Sequence, residues 1–205
     1  MIWQEFRNRP IRTNVHFQDA EGMLPVCEDC SKMEYRFCCH SPLGPVTVSS
    51  DGASITGLRF SEPGELSGSG EPRLPVFRET VRWLDCYFGG RDPGFLPPVL
   101  LNTTEFRRAV YGLLLRVPFG ATVSYGELAE SLAGFRGVPR ISAQAVGGAL
   151  AHNPVLLIIP CHRVIGRDGR LTGYAGGLSR KTRLLALEQR ECTLLRDGRS
   201  LSGES

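Results

Sequence analysis

The chain has 205 residues, 41% hydrophobic and 22% charged, the ordinary balance of a soluble globular protein. No apolar run approaches the ~20 residues a bilayer span needs, and Met1 to Arg7 lack the apolar centre of a secretory signal, so a cytoplasmic protein with no membrane partner is expected. The net charge of +3 is unevenly spread: residues 103–190 carry 12 Lys and Arg against 5 Asp and Glu, residues 1–102 carry 10 against 13, and residues 191–205 carry 2 against 3. A basic half joined to a mildly acidic one points the C-terminal half toward a polyanion such as nucleic acid.

Residues 1–33 show little periodicity and read as an irregular extension. Cys27-Glu28-Asp29-Cys30 has CxxC spacing and Cys38-Cys39-His40 follows, and thiolate and imidazole are the ligands zinc prefers. A second pair at knuckle spacing is missing, and adjacent Cys38 and Cys39 would point to opposite faces of a strand. No metal is therefore assigned, with Cys27, Cys30 and Cys38 standing only as candidates. Met33 to Cys38 alternates, Ser41-Pro42-Leu43-Gly44 is a turn, and Pro45 to Ser49 resumes as a strand. Asp51-Gly52 then signals a hairpin before Ile55 to Phe60, which makes a three-stranded antiparallel meander. Ser61 to Pro75 is a loop by composition. Val76 to Phe88 is helical, with Val76, Thr80, Trp83, Leu84 and Tyr87 along one face. Gly89 to Asn102, with three prolines and three glycines, reads as a linker.

The second half opens with a helix from about Thr104 to Arg116, where Phe106, Val110, Leu113 and Leu114 form a buried stripe. Ser124-Tyr125-Gly126-Glu127 is a capping box that starts a short helix. Gly134 to Arg140 is a turn, and Ser142 caps the next helix, Ala143 to Leu150. Two short helices joined by such a turn make a helix-turn-helix, the second being the recognition helix. Nearly all side chains of that helix are small, and two interior glycines cost roughly 1 kcal/mol each relative to alanine. Close helix packing is one explanation, and close approach of a nucleic-acid groove is the other and the preferred one. Val155 to Ile159 then reads as a buried strand stopped by Pro160. Cys161 follows, with His162 beside it, so a thiol is rigidly aimed where a core strand ends. Free cysteine often merely fills space, so its neighbours must decide.

Ser124-Tyr125-Gly126-Glu127-Leu128-Ala129, Ala145-Val146-Gly147-Gly148-Ala149, Asn153-Pro154, Ile159-Pro160-Cys161-His162-Arg163-Val164, Gly173-Tyr174-Ala175-Gly176-Gly177-Leu178 and Leu184-Leu185-Ala186-Leu187-Glu188 occur in that order. In this arrangement the chain resembles the O6-alkylguanine-DNA alkyltransferases, also called methylated-DNA–protein-cysteine methyltransferases. The match runs from about Glu34 to Glu188 and is densest in the C-terminal half.

The resemblance implies an α/β, ribonuclease H-like N-terminal domain followed by an all-α, winged-helix-like DNA-binding domain. The expected organisation is an extension (1–33), the α/β domain (34–88), a linker (89–102), the alkyltransferase domain (103–190) and a tail (191–205). The implied partner is duplex DNA containing O6-alkylguanine, repaired by a monomer that needs no cofactor, with O4-methylthymine as a lesser substrate. The damaged base is flipped out of the stack. Cys161 attacks the alkyl carbon and keeps the alkyl group, so each molecule acts once.

A free thiol is mostly protonated at neutral pH, and the resemblance gives His162 the task of accepting its proton through a bridging water. Glu188 orients that histidine, and Asn153 braces the active-site turn. Tyr125 donates to guanine N3 and the Ala175 N–H meets O6. The carbonyls of Cys161 and Val164 read the exocyclic amine, and Tyr174 walls the pocket. Gln144, Ala145, Gly147 and Gly148 face the DNA. The family's best-known members carry an arginine where this chain has Gln144, so weaker and more salt-tolerant DNA binding is expected. Arg136 and Arg140, on a longer turn, are candidate phosphate contacts. Three rival readings remain at this stage. They are a damage-binding protein that transfers nothing, a thiol hydrolase using Cys161 and His162, and a helix-turn-helix regulator sensing metal through its N-terminal cysteines.

Overall fold

The structure, a computed structural model, describes residues 15–17, 34–61 and 72–196. Its first half is a five-stranded mixed sheet in the order β1-β5-β4-β3-β2. The three expected strands are β2 (Tyr35–Cys39), β3 (Val46–Ser50) and β4 (Ile55–Phe60), paired antiparallel in sequence order. Asp51 shapes the turn between β3 and β4, its carboxylate accepting the Ala53 and Ser54 N–H groups at 2.9 and 2.7 Å. Two further strands extend the meander. β5 (Val99–Leu101) comes from the stretch read as a linker, and β1 (Val15–Phe17) from the stretch read as an irregular extension. Both pair in parallel, β5 with β4 and β1 with β5. At three residues each they are too short to show alternation, which is why their sequence reads as loop.

Helix α1 (Pro75–Phe88) begins with proline at its first turn, where a missing N–H costs nothing. It buries Val76, Phe77, Thr80, Trp83, Leu84 and Tyr87. Phe77 stacks on Phe37 of β2 at 5.5 Å, and the Trp83 indole N–H donates to the Phe95 carbonyl at 3.0 Å.

The second half holds α2 (Glu105–Leu114), α3 (Tyr125–Arg136), α4 (Ala143–Ala151) and α5 (Leu178–Arg196). Its helix starts are set by side-chain caps. Thr104 accepts from Arg107 N–H, and Ser142 accepts from Ala145 N–H at 3.1 Å. Ser124 and Glu127 form the full capping box, with bonds of 3.2 and 2.8 Å. α3 ends at Gly137, whose φ of 63° is left-handed, so the helix reaches three residues into the stretch read as a turn. Among the described residues no helix is long and apolar enough to cross a membrane.

The stretch Val155–Ile159 is not a strand. It is a buried turn in which Leu157 has φ 69°, the one positive value at a non-glycine among the described residues. Its apolar side chains are all buried, and a continuous apolar run does not distinguish a buried strand from a buried turn. β4 pairs with β5 only at Ile55, which leaves Leu58 free to bond this turn. Leu58 N–H donates to the Pro154 carbonyl at 2.9 Å, and Leu156 N–H donates to the Leu58 carbonyl at 2.8 Å. The two halves are therefore joined by backbone bonds at the segment that leads to Cys161.

Candidate functional site

Cys161, His162 and Arg163 form one turn of 3-10 helix behind Pro160. Short strands fix its place: β6 (Val123–Ser124) pairs in parallel with β7 (Val164–Ile165), so Tyr125, directly after β6, is held beside the Cys161 turn. Asn153 staples that turn from within. Its carbonyl oxygen accepts from Val155 N–H at 3.0 Å, and its amide donates to the Ile159 carbonyl at 2.9 Å and to Cys161 Sγ at 3.1 Å.

Cys161 is 4% exposed. Burial pushes its thiol up to about 11, against the opposing pull of the Asn153 hydrogen bond and the Lys181 charge. At neutral pH the resting sulfur is therefore a thiol and needs a base to become a nucleophile. No hydrogen bond joins Sγ to His162 among the described contacts, which argues against a direct dyad.

His162 is completely buried, and Nε2 lies 2.8 Å from Glu188 Oε1. Burial lowers the affinity of the imidazole for a second proton more than Glu188 raises it, so the ring is neutral. With Nε2–H given to the carboxylate, the tautomer leaves a lone pair on Nδ1. Nδ1 is buried and has no hydrogen-bond partner among the described residues, and the same holds for the Tyr174 hydroxyl. Glu188 receives five donors: Tyr87 Oη, His162 Nε2, Arg163 Nε and Nη2, and Gly120 N–H, all between 2.7 and 3.0 Å. Burial alone would raise its carboxyl, but His162, Arg163 and their hydrogen bonds hold it well below the usual carboxylate range. It is thus ionised while fully buried, a state that only saturated hydrogen bonding permits.

Above Cys161 lies a pocket of about 290 Å³ lined by Tyr125, Gly147, Leu150, Ala151, Cys161, Gly173, Tyr174 and Ala175. The expected substrate-binding residues Tyr125, Tyr174 and Ala175 line it together with the thiol. Val164 is not part of the lining; its side chain is buried and its carbonyl accepts from Lys181 Nζ at 2.7 Å. The Cys161 carbonyl likewise accepts from Val164 N–H. Each carbonyl keeps one lone pair for a ligand.

On α4, Gln144, Ala145 and Gly148 are exposed and Gly147 is half-buried. A Cβ on Gly148 would meet nothing within 4 Å, and one on Gly147 would only touch the Tyr125 ring at 3.7 Å. Internal packing therefore does not require either glycine. Arg140 is exposed, whereas Arg136 pairs with Glu105 at 3.0 Å. Cys38 is buried against Thr47, and Cys27 and Cys30 lie outside the described residues. Among the described residues no three His, Cys, Asp or Glu side chains are grouped to hold a metal.

Sequence reasoning missed three members of the site. Arg163 forks onto Glu188 and also donates to the Val117 carbonyl at 2.7 Å. Lys181, completely buried, binds the carbonyls of Val164, Thr172 and Gly173 and so ties the pocket loop to the Cys161 turn. Tyr87 reaches in from α1. One signal was available for Lys181: with Leu184 and Glu188 it falls at i, i+3 and i+7, a buried helix face made partly of charges.

Comparison with known proteins identifies relatives by sequence and by fold. The 6-O-methylguanine DNA methyltransferase DNA-binding domain matches residues 105–190, and the ribonuclease-like domain of the same methyltransferases matches residues 33–99. The methylated-DNA–protein-cysteine methyltransferase of Mycobacterium tuberculosis is 42% identical over 153 residues, 73% of this chain and 88% of the relative. The Methanosarcina acetivorans protein of that name is 39% identical over 72% of this chain and 94% of its own length. The crystal structure of the M. tuberculosis O6-methylguanine methyltransferase superposes with a TM-score of 0.63 at 38% identity, covering 80% of this chain and 99% of that one. That of the M. tuberculosis protein in complex with DNA gives 0.62 at 40% identity, covering 76% and 92%.

Proposed function

Since this chain belongs to the 6-O-methylguanine DNA methyltransferase family, we propose that it repairs O6-alkylguanine in duplex DNA by moving the alkyl group irreversibly onto Cys161. The observation that carries the reading is the buried thiol in the wall of a base-sized pocket, backed by a neutral imidazole with a free Nδ1. The lesion is flipped into the pocket between Tyr125 and Tyr174. The Cys161 proton passes through a water to His162 Nδ1. The thiolate attacks the alkyl carbon, the carbon–O6 bond breaks, and its electron pair stays with guanine. Glu188, already ionised, balances the imidazolium that forms. Tyr125 donates to N3 and Ala175 N–H bonds O6, where negative charge develops. The second lone pairs of the Cys161 and Val164 carbonyls receive the exocyclic amine. No step regenerates the thiol, and no cofactor takes part.

The exposed face of α4 meets the DNA. Small Ala145, Gly147 and Gly148 admit the groove, Gln144 enters the gap left by the flipped base, and Arg140 contacts phosphate. Arg136 joins it by exchanging Glu105 for a phosphate. The damage-binding and hydrolase alternatives are disfavoured, the first by the presence of Cys161 and the second by the missing Cys161–His162 bond. Acting on chromosomal DNA, the protein would work in the cytoplasm, at the nucleoid if its source is prokaryotic. With lesion duplex in excess, restored guanine should equal the protein added, and fresh lesion should stay untouched. O4-methylthymine should react more slowly. Repeated turnover would overturn the reading.

A further inference from the structure

Tyr87 belongs to α1 in the first half of the chain, yet its phenol ends inside the Cys161 site. The residue is completely buried. Its ring is held by stacking on Trp83 at 5.1 Å and by edge contacts with Phe88 and Phe119. One partner would satisfy a buried phenol. Tyr87 has two, since its hydroxyl donates to Glu188 Oε1 at 2.7 Å and lies 3.2 Å from His162 Nε2. A phenol proton committed to Glu188 turns an oxygen lone pair toward Nε2–H, which is then shared between the carboxylate and the phenol.

We infer that Tyr87 is a positioning residue, supplied by the N-terminal half, that keeps His162 neutral with Nδ1 as its open acceptor. The inference rests on the proposed role of His162 as base. The groups facing the imidazole are Glu188 and Lys181 from α5, Arg163 from its own turn, Tyr174 from the pocket loop and Tyr87 from α1. Lys181 and Arg163 oppose protonation of the ring, and Glu188 favours it. The Tyr87 hydroxyl withdraws part of the carboxylate charge by donating to the same oxygen that holds Nε2. Without that hydroxyl, Glu188 acts on His162 undiminished and the imidazolium forms at higher pH. Nδ1 then carries a proton and accepts none from Cys161.

The test is single-turnover alkyl transfer by the full chain across roughly pH 5 to pH 9, with nitrogen NMR of the His162 ring in parallel. Tyr87→Phe should move the acid limb of the rate upward by roughly one pH unit, a tenfold loss on the acid side. The His162 titration should move with it, while affinity for lesion DNA stays within twofold. Trp83→Phe, which loosens the stack and leaves the hydroxyl, should keep the limb in place. An unchanged limb in Tyr87→Phe, a uniform loss at every pH with an unmoved His162 titration, or an equal shift in Trp83→Phe would each overturn the inference. A moved His162 titration in a chain whose unaltered form transfers no alkyl group would uphold the coupling and refute the proposed reaction.

Discussion

At the scale of single residues, Asn153 does more than its place before a proline suggests. One side chain satisfies Val155 N–H and the Ile159 carbonyl and aims Cys161 Sγ. Asn153→Ala leaves two buried backbone groups short of partners, at about 1–3 kcal/mol each. A melting curve should show a clear loss of stability, and single-turnover transfer should slow by more than tenfold. A variant with unchanged melting and rate would refute the staple. Gln144 is exposed on the first turn of α4 and carries no charge. Gln144→Arg should tighten binding to duplex DNA and steepen its salt dependence by about one counterion. An unchanged affinity and slope would show that this position does not enter the duplex. Cys161 and His162 stood out in the sequence because a thiol and an imidazole follow a buried run. Arg163 and Tyr87 did not, because their partner Glu188 is 25 and 101 residues away and only the fold brings them together.

At the scale of elements, the two short helices and their caps were legible because Ser124 and Ser142 act locally. The turn before Cys161 was not, since burial on all sides erases the periodicity that separates turn from strand. The turn that holds Leu157 at positive φ is closed by the Asn153 staple, which is local, and by backbone bonds to Leu58, which are not. Packing inside the molecule gives no reason for glycine at position 148 of α4, where an added Cβ would meet nothing within 4 Å. Gly148→Ala should stabilise the helix by about 1 kcal/mol and weaken DNA binding at the same time. Improved melting with undiminished DNA affinity would remove the groove-approach account. The pocket loop gives the opposite result: a Cβ on Gly176 would lie 2.5 Å from the Tyr174 ring and 2.9 Å from Phe60. Glycine is needed there for the loop to lie against the first half of the chain.

At the scale of the whole molecule, one buried carboxylate gathers groups from both halves. Glu188 joins Tyr87 of the sheet half to His162, Arg163 and Gly120 of the helical half. Its charge state and that of His162 give stability a definite pH dependence. His162 has a lowered affinity for protons in the folded state, so the unfolded chain binds more protons once pH falls below about 6.5. Glu188 adds to this below about 4.3, the ordinary carboxylate range, where the unfolded chain again takes up the proton first. Stability should therefore be full near neutrality and fall in two stages on acidification, and Glu188→Gln should shrink the second stage, leaving the smaller share of Glu127 and Glu34, whose carboxyls are also lowered by hydrogen bonds. It should also lower the melting temperature sharply, because Arg163 is left buried without its counter-charge. A melting profile flat from neutrality to pH 4 would contradict the assignment. The division into a mildly acidic half and a basic half was legible from charge alone, and the backbone junction through Leu58 was not. The central claim is that Cys161 takes the alkyl group and keeps it. Incubation with duplex DNA containing O6-methylguanine, followed by intact mass measurement and peptide mapping, tests this directly. One added methyl on Cys161, absent in Cys161→Ser, is the expected result; lesion binding with no gain in mass would contradict it.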